Sequence, residues 1–154
     1  MENYQEQYKQ ELHQQEINSN LRTLKGFLWI FVTILILWLL TLVGIFIVDA
    51  GIFTMAVGMS VVIAIPVLYI YKKVDLSRDW VKYVLLALIC AISAVMAAFL
   101  SFHAVLIYVL PLLSAVQYRE RMTLWVTYAV NDVTMTLSML PGFYHGICDL
   151  NLLL

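Results

Sequence analysis

Hydrophobic and polar positions divide this chain into a polar lead and a series of long apolar segments. Residues 1–25 are rich in glutamine and glutamate, and the segment 26–48 that follows carries no charged residue. At about 1.5 Å per residue, such a segment is long enough to cross a hydrocarbon core of about 30 Å. A second apolar segment covers residues 51–71. The pattern predicts an all-α membrane protein.

The polar lead has helical periodicity of its own. Tyr4, Tyr8 and Leu12 recur every fourth residue, which gives a narrow apolar seam. The run 18–20, Asn-Ser-Asn, interrupts the pattern, and we expect it to cap the helix that follows. Residues 1–25 are then either a solvated cytoplasmic juxtamembrane helix or a short coiled-coil or interfacial helix.

The apolar run 81–118 is too long for one crossing. As a single helix it would measure about 57 Å, nearly twice the thickness of the core. The polar interruption Ser101–His103 is therefore the predicted turn between a third span at 82–100 and a fourth at 104–118. Pro111 is expected to break the middle of the fourth span.

Small residues mark two faces where helices are expected to pack closely. On the second span they recur at four-residue spacing as Ala56, Ser60 and Ala64. On the third span they form an alanine face at positions 87, 91, 94 and 98, which continues to Ser101.

The fifth predicted span, 122–141, combines spanning length with polar residues at its centre. An ionisable carboxylate at mid-membrane costs about 2.5–3.5 kcal/mol by insertion measurements, so Asp132 requires a partner or a cavity. Helical spacing places these polar side chains on two adjacent stripes. One stripe is Thr127, Asn131, Thr134 and Ser138, and the other is Tyr128, Asp132 and Thr136.

This polar face has two interpretations. It is a ligand, ion or proton site in which Asp132 titrates, or it is a set of hydrogen bonds between helices, for example from Asp132 to Tyr108, to Gln117 or to a serine of another span. The sequence leaves both open.

Pro141 and Gly142 are expected to end the fifth span and to begin a tail at 143–154. In that tail, His145, Cys148 and Asp149 are too few and too scattered to predict a metal site, and solvated loop residues are the simpler interpretation. His103 is placed on the same outer side and joins the candidate site residues. The final apolar run gives the expectation that the chain is cut within a loop.

Composition supports the membrane class. The chain is 63% hydrophobic and 12% charged, against about 45–50% and about 25% in soluble domains. So much apolar surface excludes disorder for most of the chain. The net charge of -1 gives no indication of nucleic-acid binding.

The positions of the basic residues predict the topology. All nine Lys and Arg residues fall in residues 9–25, 72–82 and 119–121. The positive-inside rule places these segments in the cytoplasm. The prediction is a bundle of about five transmembrane helices with a cytoplasmic N-terminus and an extracytoplasmic C-terminus.

Catalytic chemistry is not indicated. The chain has no nucleophile elbow, no phosphate-binding glycine loop and no zinc-protease motif. We therefore expect neither an enzyme nor a cofactor in these residues.

The C-terminal part resembles a known family. FLSFHAVLIYVLPLLSAVQYRERMTLWVTYAV, followed by PGFYHGICDLNLLL, is similar to the N-terminal membrane region of multi-span signalling proteins of anaerobic Gram-positive bacteria. The elements in common are His103, Leu110-Pro111, the Gln-Tyr-Arg run at 117–119 and the Gly-Ile-Cys-Asp run at 146–149. The resemblance covers about residues 70–154. It implies a multi-pass protein of the bacterial cytoplasmic membrane.

In those proteins the membrane region precedes a cytoplasmic output domain, often a diguanylate cyclase and sometimes a histidine kinase. This chain departs from the pattern because it contains no output domain, and the resemblance supplies no ligand. The leading hypothesis is a sensor and anchor domain, with the bilayer, a second copy and a cytoplasmic signalling protein as partners. The rivals are a transporter or channel component that uses the polar face of the fifth span, and a structural membrane subunit.

Overall fold

A computed structural model describes residues 2–45, 49–100 and 107–145, and the regular secondary structure in these ranges is helical. This confirms the predicted all-α class for the described part of the chain. The predicted turn at Ser101–His103 lies outside it. Five helices follow in order: α1 Glu2–Leu42, α2 Ala50–Lys73, α3 Asp79–Leu100, α4 Val109–Val116 and α5 Arg121–His145.

Three of these helices have the length and composition to cross a membrane: Tyr4–Leu42, Ala50–Lys73 and Asp79–Phe99. Helix α4 has 8 residues and measures about 12 Å, which is much less than the core thickness. Helix α5 has 25 residues, but its polar positions keep it outside this group. The described residues thus support a membrane protein with at least three apolar helices.

Helix α1 runs without a break from the polar lead into the first apolar segment. The predicted cap at Asn18–Asn20 is therefore wrong. The side chains of Ser19 and Asn20 bond to carbonyl groups of other segments, so they do not compete for the backbone of their own helix.

The end of α1 is set by Gly44, which has a φ of 80°. The Gly44 N–H donates to the Thr41 carbonyl at 3.0 Å, and the Ile45 N–H donates to the Leu40 carbonyl at 3.1 Å. This is the Schellman pattern of a helix C-terminus, for which glycine is suited because it has no Cβ. The helix consequently ends before Val48, the predicted limit of the first span.

The three prolines do not act as breaks. Helix α2 continues through Pro66. Pro111 lies in the first turn of α4, not in its middle as predicted, and a missing N–H costs nothing there. Helix α5 continues through Pro141 to His145, so its predicted end is also wrong. Proline has a helical φ and removes only one hydrogen bond, which membrane helices tolerate.

Helix α3 lies at the centre of the bundle and packs against each of the other four helices, most extensively against α5. The predicted small face of α2 is fully buried at Ala56 and Ser60, and Ala64 is half-buried. The alanine face of α3 is only half-buried, and Ala87 is exposed. Larger side chains bury more apolar area and therefore face the core. They are Val81, Leu85, Ile89, Ile92 and Met96.

Candidate functional site

The polar residues of α5 divide into an inner and an outer face. The inner face consists of Thr123, Thr127, Asn131 and Ser138, which are buried, with Thr134 half-buried beside them. The outer face consists of Tyr128, Asp132 and Thr136, which are exposed. The two predicted stripes thus have different surroundings, and they do not form one continuous site.

The inner face is tied to Tyr108, which precedes α4. The Asn131 Nδ2 donates to the Tyr108 carbonyl at 3.1 Å, and the Tyr108 hydroxyl is hydrogen-bonded to the Ser138 hydroxyl. Thr127 and Thr134 donate to carbonyl groups of their own helix, those of Thr123 and Asn131. Tyr108 was a predicted partner for Asp132, but it bonds to Asn131 and Ser138 instead.

One atom of the inner face has no partner among the described residues. Asn131 is 7% exposed, and its Oδ1 is buried without a hydrogen bond. Exchanging the amide oxygen and nitrogen would not help, because Nδ2 is the atom that donates to the Tyr108 carbonyl. A buried acceptor of this kind costs about 1–3 kcal/mol.

Asp132 points away from the bundle. It takes part in neither of the ion pairs formed by described residues. The Thr136 hydroxyl, one turn further on, donates to the Asp132 backbone carbonyl at 2.9 Å and not to its carboxylate. The predicted titratable group therefore does not line the interior of this chain.

The other predicted site residues lie beyond the described residues or at their limit. His103, Cys148 and Asp149 lie outside the described residues, and His145 is the last residue of α5. Within the described ranges, no three His, Cys, Asp or Glu side chains come together as a metal site.

A second polar site, which no local sequence pattern predicts, joins α1 to the connections that precede α3 and α5. Asn20 is fully buried and its Nδ2 donates to the Leu76 carbonyl at 2.7 Å. The Tyr118 hydroxyl donates to Asn20 Oδ1 at 2.8 Å and lies 3.0 Å from Thr23 Oγ1. Ser19 adds a hydrogen bond to the Gln117 carbonyl at 3.3 Å.

An ion-pair network completes this site. Lys82 of α3, whose side chain is 8% exposed, lies 2.7 Å from Glu16 Oε1 and 2.8 Å from Glu120 Oε2. The Thr123 hydroxyl donates to the same Glu120 oxygen at 2.6 Å. The hydrogen bond from Lys82 is the main cause that holds the pKa of Glu120 below its ordinary value of 4.5. We call this whole site the polar junction, and it consists of Glu16, Ser19, Asn20, Thr23, Lys82, Tyr118, Glu120 and Thr123.

The polar junction brings the three basic segments of the sequence to one end of the bundle. Its members come from the polar lead, from the start of α3, and from the connection between α4 and α5 together with the first turn of α5. An open cleft of about 380 Å³ adjoins it, lined among others by Asn18, Arg22, Gln117 and Arg119. Side chains so far apart in sequence give no local signal of their contact. A charge inside an apolar run, at Lys82, was the one available indication.

No protein-family model, curated protein or solved structure matches this chain.

Proposed function

We propose that this chain is the membrane sensor and anchor domain of a bacterial signal-transduction protein of the cyclic-di-GMP or two-component type. One observation carries the proposal: a single helix, α1, runs from the apolar bundle into the polar lead and is fixed at the polar junction to α3 and to the connection that precedes α5. At 41 residues it is about 60 Å long, of which about half exceeds the membrane core.

A topology of five crossings is part of this proposal. Because Lys82 pairs with Glu120, α3 and α5 begin at the same end of the bundle, and the chain between them must return to that end. Helix α5 also packs along α3, which is one of the apolar helices. The positive-inside rule makes the end with the polar junction cytoplasmic and the tail extracytoplasmic.

The polar junction supplies a route for a signal. A ligand or a membrane state that shifts α5 against α3 displaces Glu120 relative to Lys82. Glu16 shares that lysine, so the displacement reaches α1, which transmits it as a rigid body. Such a stimulus acts by favouring one of two packing arrangements of the bundle.

The proposal is tested by a cytoplasmic reporter, such as a dimerisation-dependent cyclase, fused in frame ahead of Met1. We expect Asn131→Leu and Lys82→Met to change the reporter output severalfold. Gln10→Pro interrupts α1 on an exposed face between the polar junction and the reporter, so it should make the output insensitive to Asn131→Leu. Gln10→Ala, at an exposed position, is the matched control and should leave the output unchanged. Output that ignores both bundle variants would contradict the proposal.

The topology is tested separately with an impermeant maleimide directed at Cys148. We expect labelling in intact cells. Protection in intact cells, followed by labelling after permeabilisation, would contradict an extracytoplasmic tail.

A transporter that uses the polar residues of α5 receives less support. Asn131 faces the bundle interior and Asp132 faces outward, so one chain does not line a path with both. Loss of proteoliposome flux in Asp132→Asn, with insertion and folding retained, would revive that function.

A further inference from the structure

The outer face of α5 presents a carboxylate and two aromatic rings side by side. Trp125 is 67% exposed and Tyr128 is 52% exposed, and Asp132 follows one turn later, also exposed. Their spacing of three and four residues places them on one side of the helix. Exposed apolar side chains lie beside them, at Val133, Leu137 and Leu140, and the exposed Thr136 follows Asp132 by one turn.

The ion pair between Lys82 and Glu120 sets the depth of this surface. It aligns the start of α5 with the start of α3, so Asp132, which lies about 16 Å along α5 from Arg121, is level with the middle of α3. Helix α3 has spanning length and composition over Asp79–Phe99. Asp132 therefore faces outward at the depth where an exposed carboxylate is most costly.

The chemistry of the three side chains indicates what covers them. A carboxylate attracts a cation, and the faces of tryptophan and tyrosine rings attract one as well. The rings of Trp125 and Tyr128 pack edge to face, with centroids 6.2 Å apart and planes at 84°. Both side chains are exposed despite this contact, so a neighbouring side chain can reach them.

A second copy of this chain does not supply the cation. Every Lys and Arg lies in residues 9–25, 72–82 or 119–121, and none is level with Asp132. In a symmetric dimer through this face, the two copies of Asp132 would oppose each other across the axis, and like charges repel.

We propose that the face formed by Trp125, Tyr128 and Asp132 binds a membrane-spanning helix of another protein, through one Lys or Arg that this helix carries at mid-membrane. The inference rests on the placement of α5 in the membrane that is part of the proposed function.

The test uses a synthetic poly-leucine helix with a single central Lys, and the same helix with Leu at that position. The protein carries a donor fluorophore on Met122→Cys in a Cys148→Ser background, since Cys90 is buried. Energy transfer to acceptor-labelled peptide is measured in phosphatidylcholine vesicles. We expect the Lys peptide to bind about tenfold more tightly than the Leu peptide.

Variants assign the preference to this face. Asp132→Leu should abolish the difference between the two peptides, and Tyr128→Leu should reduce it severalfold. Thr127→Val, on the inner face of the same helix, should retain it. Equal binding of both peptides to the wild-type protein would overturn the inference. The inference would also be overturned if the protein preferred neither peptide and instead associated with itself in a way that Asp132→Leu abolishes.

A depth measurement separates this inference from the proposed function. A spin label on Val133→Cys should be accessible to oxygen and protected from a water-soluble relaxant. If the label is protected from the water-soluble relaxant but the protein does not prefer the Lys peptide, only the inference is overturned. Access to the water-soluble relaxant would overturn it together with the five-span topology.

Discussion

The Tyr118 hydroxyl donates a hydrogen bond of 2.8 Å to the Oδ1 of Asn20, a residue 98 positions earlier in the chain. Because the Asn20 amide group also donates to the Leu76 carbonyl, one buried asparagine holds together the polar lead and two connections of the bundle. Because this asparagine is enclosed, water cannot take the place of a hydrogen-bond partner that is lost. The loss of either partner should therefore lower the stability of the protein.

Tyr118→Phe should lower the free energy of unfolding by about 1–3 kcal/mol, since it leaves a buried asparagine oxygen without its donor. Titration with SDS in mixed micelles measures this change. Tyr69→Phe removes the same hydroxyl from an exposed ring and should be neutral. Equal losses in the two variants would show that the hydrogen bond to Asn20 has no special weight.

Lys82→Met should also cost about 1–3 kcal/mol, because two charge-assisted hydrogen bonds are lost. The cost stays below that of a fully buried pair, since Glu120 is 43% exposed and can be hydrated. Thermal unfolding followed by circular dichroism provides the measurement. Lys73→Met, at an exposed position, is the matched control, and a loss as large as that of Lys82→Met would contradict the assignment.

Glu120 should make the folded state sensitive to acid. Its folded pKa lies below 4.5, so its stabilising contribution is complete above about pH 4.5 and is lost as the pH falls through the folded value. Between pH 6 and pH 3, the free energy of unfolding of the wild type should therefore fall more than that of Glu120→Gln. The difference between the two losses should be less than about 1 kcal/mol, because Glu120 is so exposed. Glu6→Gln, also in an exposed position, should follow the wild type. Parallel curves for wild type and Glu120→Gln would refute this.

Two glycines, one inside α1 and one just beyond its end, should respond in opposite ways to alanine. Gly44 has a φ of 80°, which an alanine adopts only at a cost of about 1 kcal/mol, so Gly44→Ala should destabilise the protein. Gly26 lies inside the helix with open space around it. Gly26→Ala should stabilise by about 0.5–1 kcal/mol through reduced backbone entropy. The two melting temperatures, measured side by side, test the assigned end of α1.

The elements that the sequence predicted well are those that follow from local periodicity. Helix α2 and the small face at Ala56 and Ser60 depend on neighbours within a turn or two. The prediction that the alanine face of α3 packs closely against other helices was wrong, because helical spacing alone does not show which side of a helix faces the core. The stripes of α5 were recognised, but their opposite surroundings depend on the position of Tyr108, which is a long-range contact.

The polar junction illustrates the same limit. Asn18–Asn20 appeared to be a local interruption, because polar residues with short side chains favour caps when only their own helix is considered. Ser19 donates instead to the Gln117 carbonyl, and Asn20 donates to the Leu76 carbonyl. The sequence shows that these residues are polar, but their hydrogen-bond partners come from segments that are distant in the chain and meet only in the folded bundle.

The unbroken course of α1 also restricts how its length can vary. An insertion of one residue between Asn20 and Gly26 would turn everything before it by about 100°, and it would carry Glu16 away from Lys82. An insertion of seven residues nearly restores the angular phase, with a drift of about 20°. If the part of α1 that projects beyond the bundle changes in length by whole heptads, its apolar seam at Tyr4 and Tyr8 should therefore keep nearly the same direction.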